Sequence, residues 1–197
     1  GTNSSTSGIL LPLFTLGLTI ALAVYSWRRR RLPGAAPFAV ACALAALWIV
    51  GAIAESLSTD LASKVAWYKF QVVWQIPTIT AIACFILDYE WPGRWLTRRS
   101  FILLSVAPLL MAMMIVTNDL HHLMWVSLTA DGVISPIRGP LNWPFIAYAV
   151  AFAAVQVVTL VWLILRSPSH RLPAVIMLVS VVFNRVAYVL NALDHPI

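Results

Sequence analysis

The chain has 197 residues, of which 61% are hydrophobic and only 10% are charged, and its formal net charge is +6. A water-soluble domain with this composition would have too little polar surface to cover itself, so the composition excludes that class and indicates an integral membrane protein. The positive charge lies in short clusters beside apolar runs, which favours membrane lipids as partners over nucleic acid.

Six apolar stretches are long enough to cross a bilayer as α-helices, which takes about 20 residues each. We therefore expect an all-α fold, a polytopic transmembrane bundle formed by residues 8–197. Residues 1–7 are a short external leader or a remnant of cloning. Six spans return the chain to the side where it began, so a seventh helix is expected after Ile197. The stretches are residues 8–27, 36–55, 65–87, 100–117, 142–165 and 172–193.

Cationic residues mark one side of the membrane. Nine of the thirteen Lys and Arg residues fall in the three short connections after the first, third and fifth spans. Cytoplasmic loops carry this excess, so the N-terminus is expected outside and the protein in the plasma membrane. The nine are Arg28, Arg29, Arg30, Arg31, Arg94, Arg98, Arg99, Arg166 and Arg171.

One face of the third span is polar over most of its length. Pro77 removes a backbone hydrogen bond within this span, so a kink is expected there. Glu55 closes the second span near the same outer interface. The polar face, which follows helical spacing, consists of Lys64, Tyr68, Gln71, Gln75 and Thr78, with Trp67 and Trp74 alongside.

Two acidic residues follow at the inner end of the third span. Asp88 and Glu90 lie close in sequence to Arg94, Arg98 and Arg99. Opposite charges at an interface attract, so we expect charge pairing between these groups.

The long external connection from Asn118 to Leu141 carries a hairpin signal. Asp131-Gly132 separates two β-favouring runs, 123–129 and 133–137. An Asp-Gly pair in this position is typical of a tight β-turn, so we predict a small β-hairpin over the outer face.

Two adjacent histidines, His121 and His122, precede the hairpin. Neighbouring side chains in a strand or turn point apart, and no third ligand has suitable spacing, so no metal is expected. Capping of the loop or lining of a cavity is the expected role of this pair.

The sixth span also has a polar edge that widens outward. Asn184 and Tyr188 share one face with Asn191 and His195, and Arg185 lies on its flank. At about 1.5 Å per residue, Arg185 lies roughly 18 Å from the inner end of this span, at a depth similar to that of Gln75. An ionisable group at this depth needs a partner, and both Glu55 and a ligand carboxylate remain open.

Polar faces on two spans beneath a hairpin favour a water-accessible cavity in the outer half of the bundle. Interhelical hydrogen bonds and an interfacial tryptophan belt are the alternative for each residue taken singly. We expect Trp125 and Trp143 to form part of a lid over this cavity. The candidate ligand-binding residues are Glu55, Tyr68, Gln71, Trp74, Gln75, His121, Trp125, Trp143, Asn184, Arg185 and Tyr188.

Catalytic and cofactor signatures are missing from the sequence. It has neither a buried Ser/His pair nor a Gly-rich phosphate loop, and its two lysines, Lys64 and Lys69, are placed too near the outer surface for a retinal Schiff base. Cys42 and Cys84 lie in apolar segments and are expected to be packing residues. No cofactor and no catalytic residue are assigned.

The sequence resembles the N-terminal seven-transmembrane sensor region of bacterial and archaeal histidine kinases, over about residues 40 to 165. The resemblance implies a seven-helix receptor with a seventh helix after Pro196, a cytoplasmic transmitter beyond it, and a homodimer formed through that cytoplasmic part. Kinase activity is not assigned to this chain, because the transmitter is not in it. The matching features are residues 67–71 (WYKFQ), Pro77, 85–89 (FILDY), Pro108, Thr117-Asn118, 121–125 (HHLMW), Gly139-Pro140 and Trp143.

The predicted function is a membrane-embedded receptor domain that binds a small molecule and drives a cytoplasmic output. A transporter or channel is the main alternative, and an intramembrane enzyme is a weaker one. Transport needs a polar path to the inner side, but residues 79–87 and 173–183 are almost wholly apolar. The resemblance adds Pro77 and Asn118 to the positions of interest.

Overall fold

The structure is a computed structural model that describes residues 3–131, 133–166, 171–172, 174–179 and 182. Up to Arg166 the described residues form six helices and one two-stranded sheet, and residues 174–179 are also helical. The elements are α1 (Asn3–Arg28), α2 (Ala35–Leu57), α3 (Leu61–Glu90), α4 (Arg98–Val116), the short α5 (Asn118–His121), β1 (Trp125–Asp131), β2 (Val133–Arg138) and α6 (Asn142–Arg166).

Five of these helices are long and apolar enough to cross a membrane, namely α1, α2, α3, α4 and α6. The predicted polytopic helical bundle is thus confirmed, and the first five predicted spans fall on these helices within a few residues. The sixth predicted span, 172–193, lies largely outside the described residues.

Helix α3 is the centre of the bundle. It packs against α2, α4 and α6 and touches β2, whereas α1 packs mainly on α2. Half of the residues in the most apolar segment of α3 are buried, compared with 6% of those in α1. The polar stripe of α3 is therefore inside the bundle, and the apolar faces of α1 and α4 are left for lipid.

Local signals explain where α3 and α4 begin. Asp60 accepts a hydrogen bond from the Ser63 N–H at 2.8 Å, and this bond lowers the pKa of the Asp60 carboxyl below its usual value. Thr97 caps α4 in the same way through the N–H of Ser100. Helix α3 continues without a break through Pro77.

The two ends of the bundle differ in their loops. The arginine end contains the loops 29–34 and 91–97, and the hairpin end contains β1 and β2. At the arginine end, Asp88 accepts hydrogen bonds from the backbone N–H groups of Gly34, at 2.8 Å, and Gly93, at 3.1 Å. Both glycines have a positive φ, of 76° and 69°, which side chains rarely adopt.

The predicted charge pairing at this end is wrong. Asp88 binds backbone N–H groups instead of arginines, and among the described residues neither Asp88 nor Glu90 forms an ion pair. A carboxylate at the end of a helix gains more from two fixed N–H donors than from exposed, flexible arginines, whose ion pairs contribute little.

The predicted β-hairpin is confirmed. β1 and β2 pair antiparallel from Trp125 opposite Arg138 to Asp131 opposite Val133. The register shifts between Trp125 and Ser127, next to the root of the hairpin. This irregularity lies where β1 leaves the bundle surface.

Candidate functional site

The polar stripe of α3 at the hairpin end supplies most of the candidate residues. Tyr68, Gln71, Trp74 and Gln75 lie on successive turns of the helix, and all are at least half-buried. Their spacing places them toward neighbouring helices and not toward lipid, as the sequence predicts.

Glu55 and Gln71 come together between α2 and α3. The Gln71 amide donates a hydrogen bond to Glu55 Oε2. The helices approach closely here because Gly51 has no side chain: a Cβ at this position would lie 2.6 Å from Gln71 Cγ and 3.0 Å from a ring atom of Phe70. The contact gives the Glu55 carboxylate a partner within the bundle.

Trp74 and Gln75 retain unused hydrogen-bonding groups. The indole Nε1–H of Trp74 is buried and has no hydrogen-bond partner among the described residues. Its ring packs edge-on against Phe70, with centroids 5.8 Å apart. Gln75 is half-buried and its amide forms no hydrogen bond within the described part of the chain. These two neighbours are able to bond to a further molecule or to another segment of the chain.

Asn118 holds the start of the hairpin against the bundle. Its side chain is 4% exposed, and its Oδ1 accepts hydrogen bonds from the N–H groups of Met124 and Trp125. Its Nδ2 donates to the carbonyl oxygen of Trp125. The side chain thereby satisfies backbone groups of Met124 and of Trp125, the first residue of β1.

His121 stabilises the same turn. The Leu123 N–H donates to Nδ1 at 3.0 Å, so Nδ1 carries no proton and the ring is the neutral Nε2–H tautomer. Nε2–H donates to Thr117 Oγ1, whose own proton goes to the Met113 carbonyl oxygen. Both ring nitrogens are thus engaged in the turn, which is a capping role.

Trp125 is buried where the hairpin meets α3 and α4. Its ring lies 5.7 Å from that of Tyr68, centroid to centroid, at an interplanar angle of 58°. The hairpin root is thereby packed on the membrane-spanning helices. Around these rings lies an apolar cluster of Val72, Ile76, Met111, Ile115 and Met124.

Trp143 is not part of this cluster. Trp143, near the start of α6, is 61% exposed, which is typical of an interfacial tryptophan. Asn184, Arg185 and Tyr188 lie outside the described residues, so the structure does not test a contact between Arg185 and Glu55.

Two polar contacts between helices were not predicted from the sequence. Tyr148 of α6 donates its hydroxyl proton to Thr80, whose own hydroxyl bonds to the Ile76 carbonyl oxygen. About two turns further along α6, Gln156 donates a hydrogen bond to the carbonyl oxygen of Ile79 at 3.2 Å. The eight-residue spacing of Tyr148 and Gln156 places them on the same side of α6. This is the same kind of polar spacing that predicts the interior face of α3.

A third unpredicted contact joins α3 to the hairpin end. Lys69 Nζ lies 2.7 Å from both carboxylate oxygens of Asp119. Asp119 is 75% exposed, so the pair lies at the surface and is screened by solvent. The described residues contain no group of three His, Cys, Asp or Glu side chains placed to hold a metal ion.

Comparisons with known proteins give one family. The sequence profile of the N-terminal 7TM region of histidine kinase matches residues 11–197, which is nearly the whole chain. No curated protein and no solved structure matched the chain.

Proposed function

Because this chain belongs to the family of N-terminal 7TM regions of histidine kinases, we propose that it binds a small molecule inside the bundle near the hairpin end and relays this event along α3. The region is a membrane sensor and is not itself catalytic.

The observation that carries the proposal is the buried indole N–H of Trp74, which has no hydrogen-bond partner in the part of the chain that the structure describes. A buried donor without an acceptor costs about 1–3 kcal/mol, so a ligand oxygen or nitrogen that accepts this proton recovers that energy on binding. Indole is a donor only, so the complementary ligand group is an acceptor.

The neighbours of Trp74 extend this site. Gln75 offers an amide that donates and accepts, and the Glu55–Gln71 pair lies one turn nearer the hairpin. In this proposal Tyr68 and Trp125 close the pocket on the hairpin side, and His121 maintains the turn that precedes Trp125.

The sixth span completes the proposed site. Asn184, Arg185 and Tyr188 supply its opposite wall, and Arg185 there favours an anionic group on the ligand. The ligand class is then a small polar or amphipathic molecule with a hydrogen-bond acceptor, carboxylates foremost.

The relay uses α3 as the connection between the two ends of the bundle. From Gln75 to Asp88 the helix rises about 20 Å at ~1.5 Å per residue, and Asp88 binds both arginine-end loops through Gly34 and Gly93. Pro77 lacks the N–H that would bond to Val73, which weakens the helix just below the site. A ligand that binds one arrangement of α3 better than another shifts the population between them.

Packing in the arginine half supports a receptor over a transporter. Ala83 is fully buried and Ile86 is 2% exposed, and the latter packs with Leu160, Leu163 and Ala174. Alternating access must at some stage hydrate this half, whereas a receptor keeps it closed.

We place the hairpin end outside the cell and the arginine end in the cytoplasm of a plasma-membrane protein, with a cytoplasmic histidine kinase or similar output that dimerises. In a background with Cys42→Ala and Cys84→Ala, a membrane-impermeant thiol reagent should modify Ser127→Cys in intact cells. Pro92→Cys should react only after permeabilisation. The reverse pattern would show that the orientation is inverted.

Ligand binding is tested through the thermal unfolding of the purified protein with a panel of small carboxylates, amides and alcohols. Compounds that raise the midpoint for the wild type should fail to do so for Trp74→Phe, which keeps the ring and loses the N–H. Trp162→Phe is the matched control, because Trp162 is exposed and faces away from the site, with its ring beneath Arg166. If every active compound stabilises Trp74→Phe as much as the wild type, the proposed site is wrong.

A further inference from the structure

A cavity lies away from the polar stripe of α3, in the groove between α1 and α2 at the arginine end. Its volume is about 420 Å³, and its walls are almost entirely apolar. Ala23 of α1 faces Ala39 and Ala43 of α2, and these small side chains leave the space between the helices open. Trp27 forms the wall nearest the arginine end.

One charged residue, Arg28, lines the groove. It is the last residue of α1, so its guanidinium lies where the apolar part of the helix ends. Arg28 is exposed and forms no ion pair among the described residues. The groove is therefore apolar along its length and cationic at its mouth.

The neighbouring arginines differ from Arg28 in their contacts. The Arg29 guanidinium lies 4.7 Å from the centroid of the Tyr25 ring, and that of Arg30 lies 5.4 Å from Trp27. These stacked pairs belong to the interface between hydrocarbon and headgroups, where aromatic and cationic residues gather. From these pairs we expect the mouth of the groove to lie at the depth of lipid phosphates.

We propose that this groove is a binding site for one anionic phospholipid of the adjacent leaflet. An acyl chain lies against the alanines of α1 and α2, and the phosphate accepts hydrogen bonds from the Arg28 guanidinium. Guanidinium binds phosphate through two parallel N–H donors, and unpaired cations beside a bilayer select anionic headgroups. Charge complementarity therefore decides the occupant, because a neutral apolar helix would leave Arg28 unused.

The test is native mass spectrometry of the protein in a neutral detergent, titrated with dioleoyl phosphatidylglycerol or with dioleoyl phosphatidylcholine. The wild type should bind its first phosphatidylglycerol about tenfold more tightly than phosphatidylcholine. Arg28→Gln should remove this preference while leaving the fold intact, because the side chain is exposed. Ala43→Phe fills the groove without changing any charge and should weaken binding of both lipids.

Matched controls separate a defined site from the general field of the cationic loop. Arg31→Gln removes the same charge outside the groove and should retain the preference, as should Val50→Phe, which adds the same ring elsewhere on α2. Equal binding of the two lipids by the wild type, equal losses for Arg28→Gln and Arg31→Gln, or normal binding by Ala43→Phe would each overturn the proposal. A dimer that Ala43→Phe abolishes, without any lipid preference, would assign the groove to a second copy of the chain and would equally overturn it.

Discussion

Replacement of Asn118 by Ala should detach the root of the hairpin from the bundle. The Asn118 side chain forms hydrogen bonds of 2.9 Å and 3.1 Å with the N–H groups of Met124 and Trp125, and one of 3.1 Å with the Trp125 carbonyl oxygen. Alanine leaves all three backbone groups without these partners in a buried position. The Trp125 ring, which packs against Tyr68, depends on the same segment for its position.

The expected cost follows from these three bonds. Each contributes a net ~0.5–1.5 kcal/mol, so the local free energy of opening should fall by about 2–4 kcal/mol. Since ~1.4 kcal/mol is a factor of ten, the amides of β1 should exchange their hydrogens about 30-fold faster or more. Exchange in the arginine half of α3 should change little.

Hydrogen exchange followed by mass spectrometry measures this directly in peptides that cover residues 123–138. Asn142→Ala is the matched control, because Asn142 donates to the carbonyl oxygen of Met124, directly before β1, but over a long 3.4 Å contact. We expect less than about a threefold change for the control, from a loss below ~0.6 kcal/mol. Equal rates in the two variants would refute the assignment of Asn118 as the anchor of the hairpin.

Three further substitutions test separate contacts through thermal unfolding in detergent. Gly139→Ala should lower the free energy of unfolding by about 1–3 kcal/mol or more, because the new Cβ would lie 2.1 Å from the Leu123 carbonyl oxygen. An unchanged midpoint would show that this close approach is absent. Lys69→Gln should lower the free energy of unfolding by less than ~1 kcal/mol, and this difference should vanish in high salt because Asp119 is mostly exposed. A large loss that does not depend on salt would contradict a surface ion pair. Tyr148→Phe should lower the free energy of unfolding by about 0.6 kcal/mol, the average for a polar contact between membrane helices. A loss several times larger would indicate a wider hydrogen-bond network around the Tyr148 hydroxyl.

The membrane-spanning helices and the hairpin follow from the sequence because their signals are local. Apolar runs of about 20 residues define the spans, and Asp131-Gly132 between β-favouring runs defines the turn. The polar spacing on the third span also predicts which face of α3 is inside the bundle. Each of these inferences depends on neighbours along the chain and on no long-range partner.

Partners across the bundle are harder to predict, as Asp88 shows. Its proximity in sequence to three arginines favoured ion pairs, whereas its actual partner in the first loop, the Gly34 N–H, lies 54 residues away. The Glu55–Gln71 bond likewise depends on Gly51, whose importance appears only when α2 and α3 are packed. A carboxylate at a helix end has many hydrogen-bond donors within reach. Sequence spacing alone does not show which of these donors it binds.

The ligand-binding role of the candidate residues stays a prediction, and the structure gives their positions. Gln71, Trp74 and Gln75 lie together on the interior face of α3, but Asn118 and His121 bind the turn of the hairpin instead of an open space. Their residue types allow both roles, since each has groups that donate and accept hydrogen bonds. Only the backbone geometry of residues 117–125 distinguishes capping from ligand contact.

Cysteine accessibility tests the central claim most directly, namely that the bundle has a polar site at the hairpin end above a closed arginine half. In the Cys42→Ala, Cys84→Ala background, a small aqueous thiol reagent is applied separately from each side of the membrane. Gln75→Cys should react from the hairpin side, and Ala83→Cys, at a fully buried position, should react from neither side. Modification of Ala83→Cys from the arginine side, or an inert Gln75→Cys, would contradict the account.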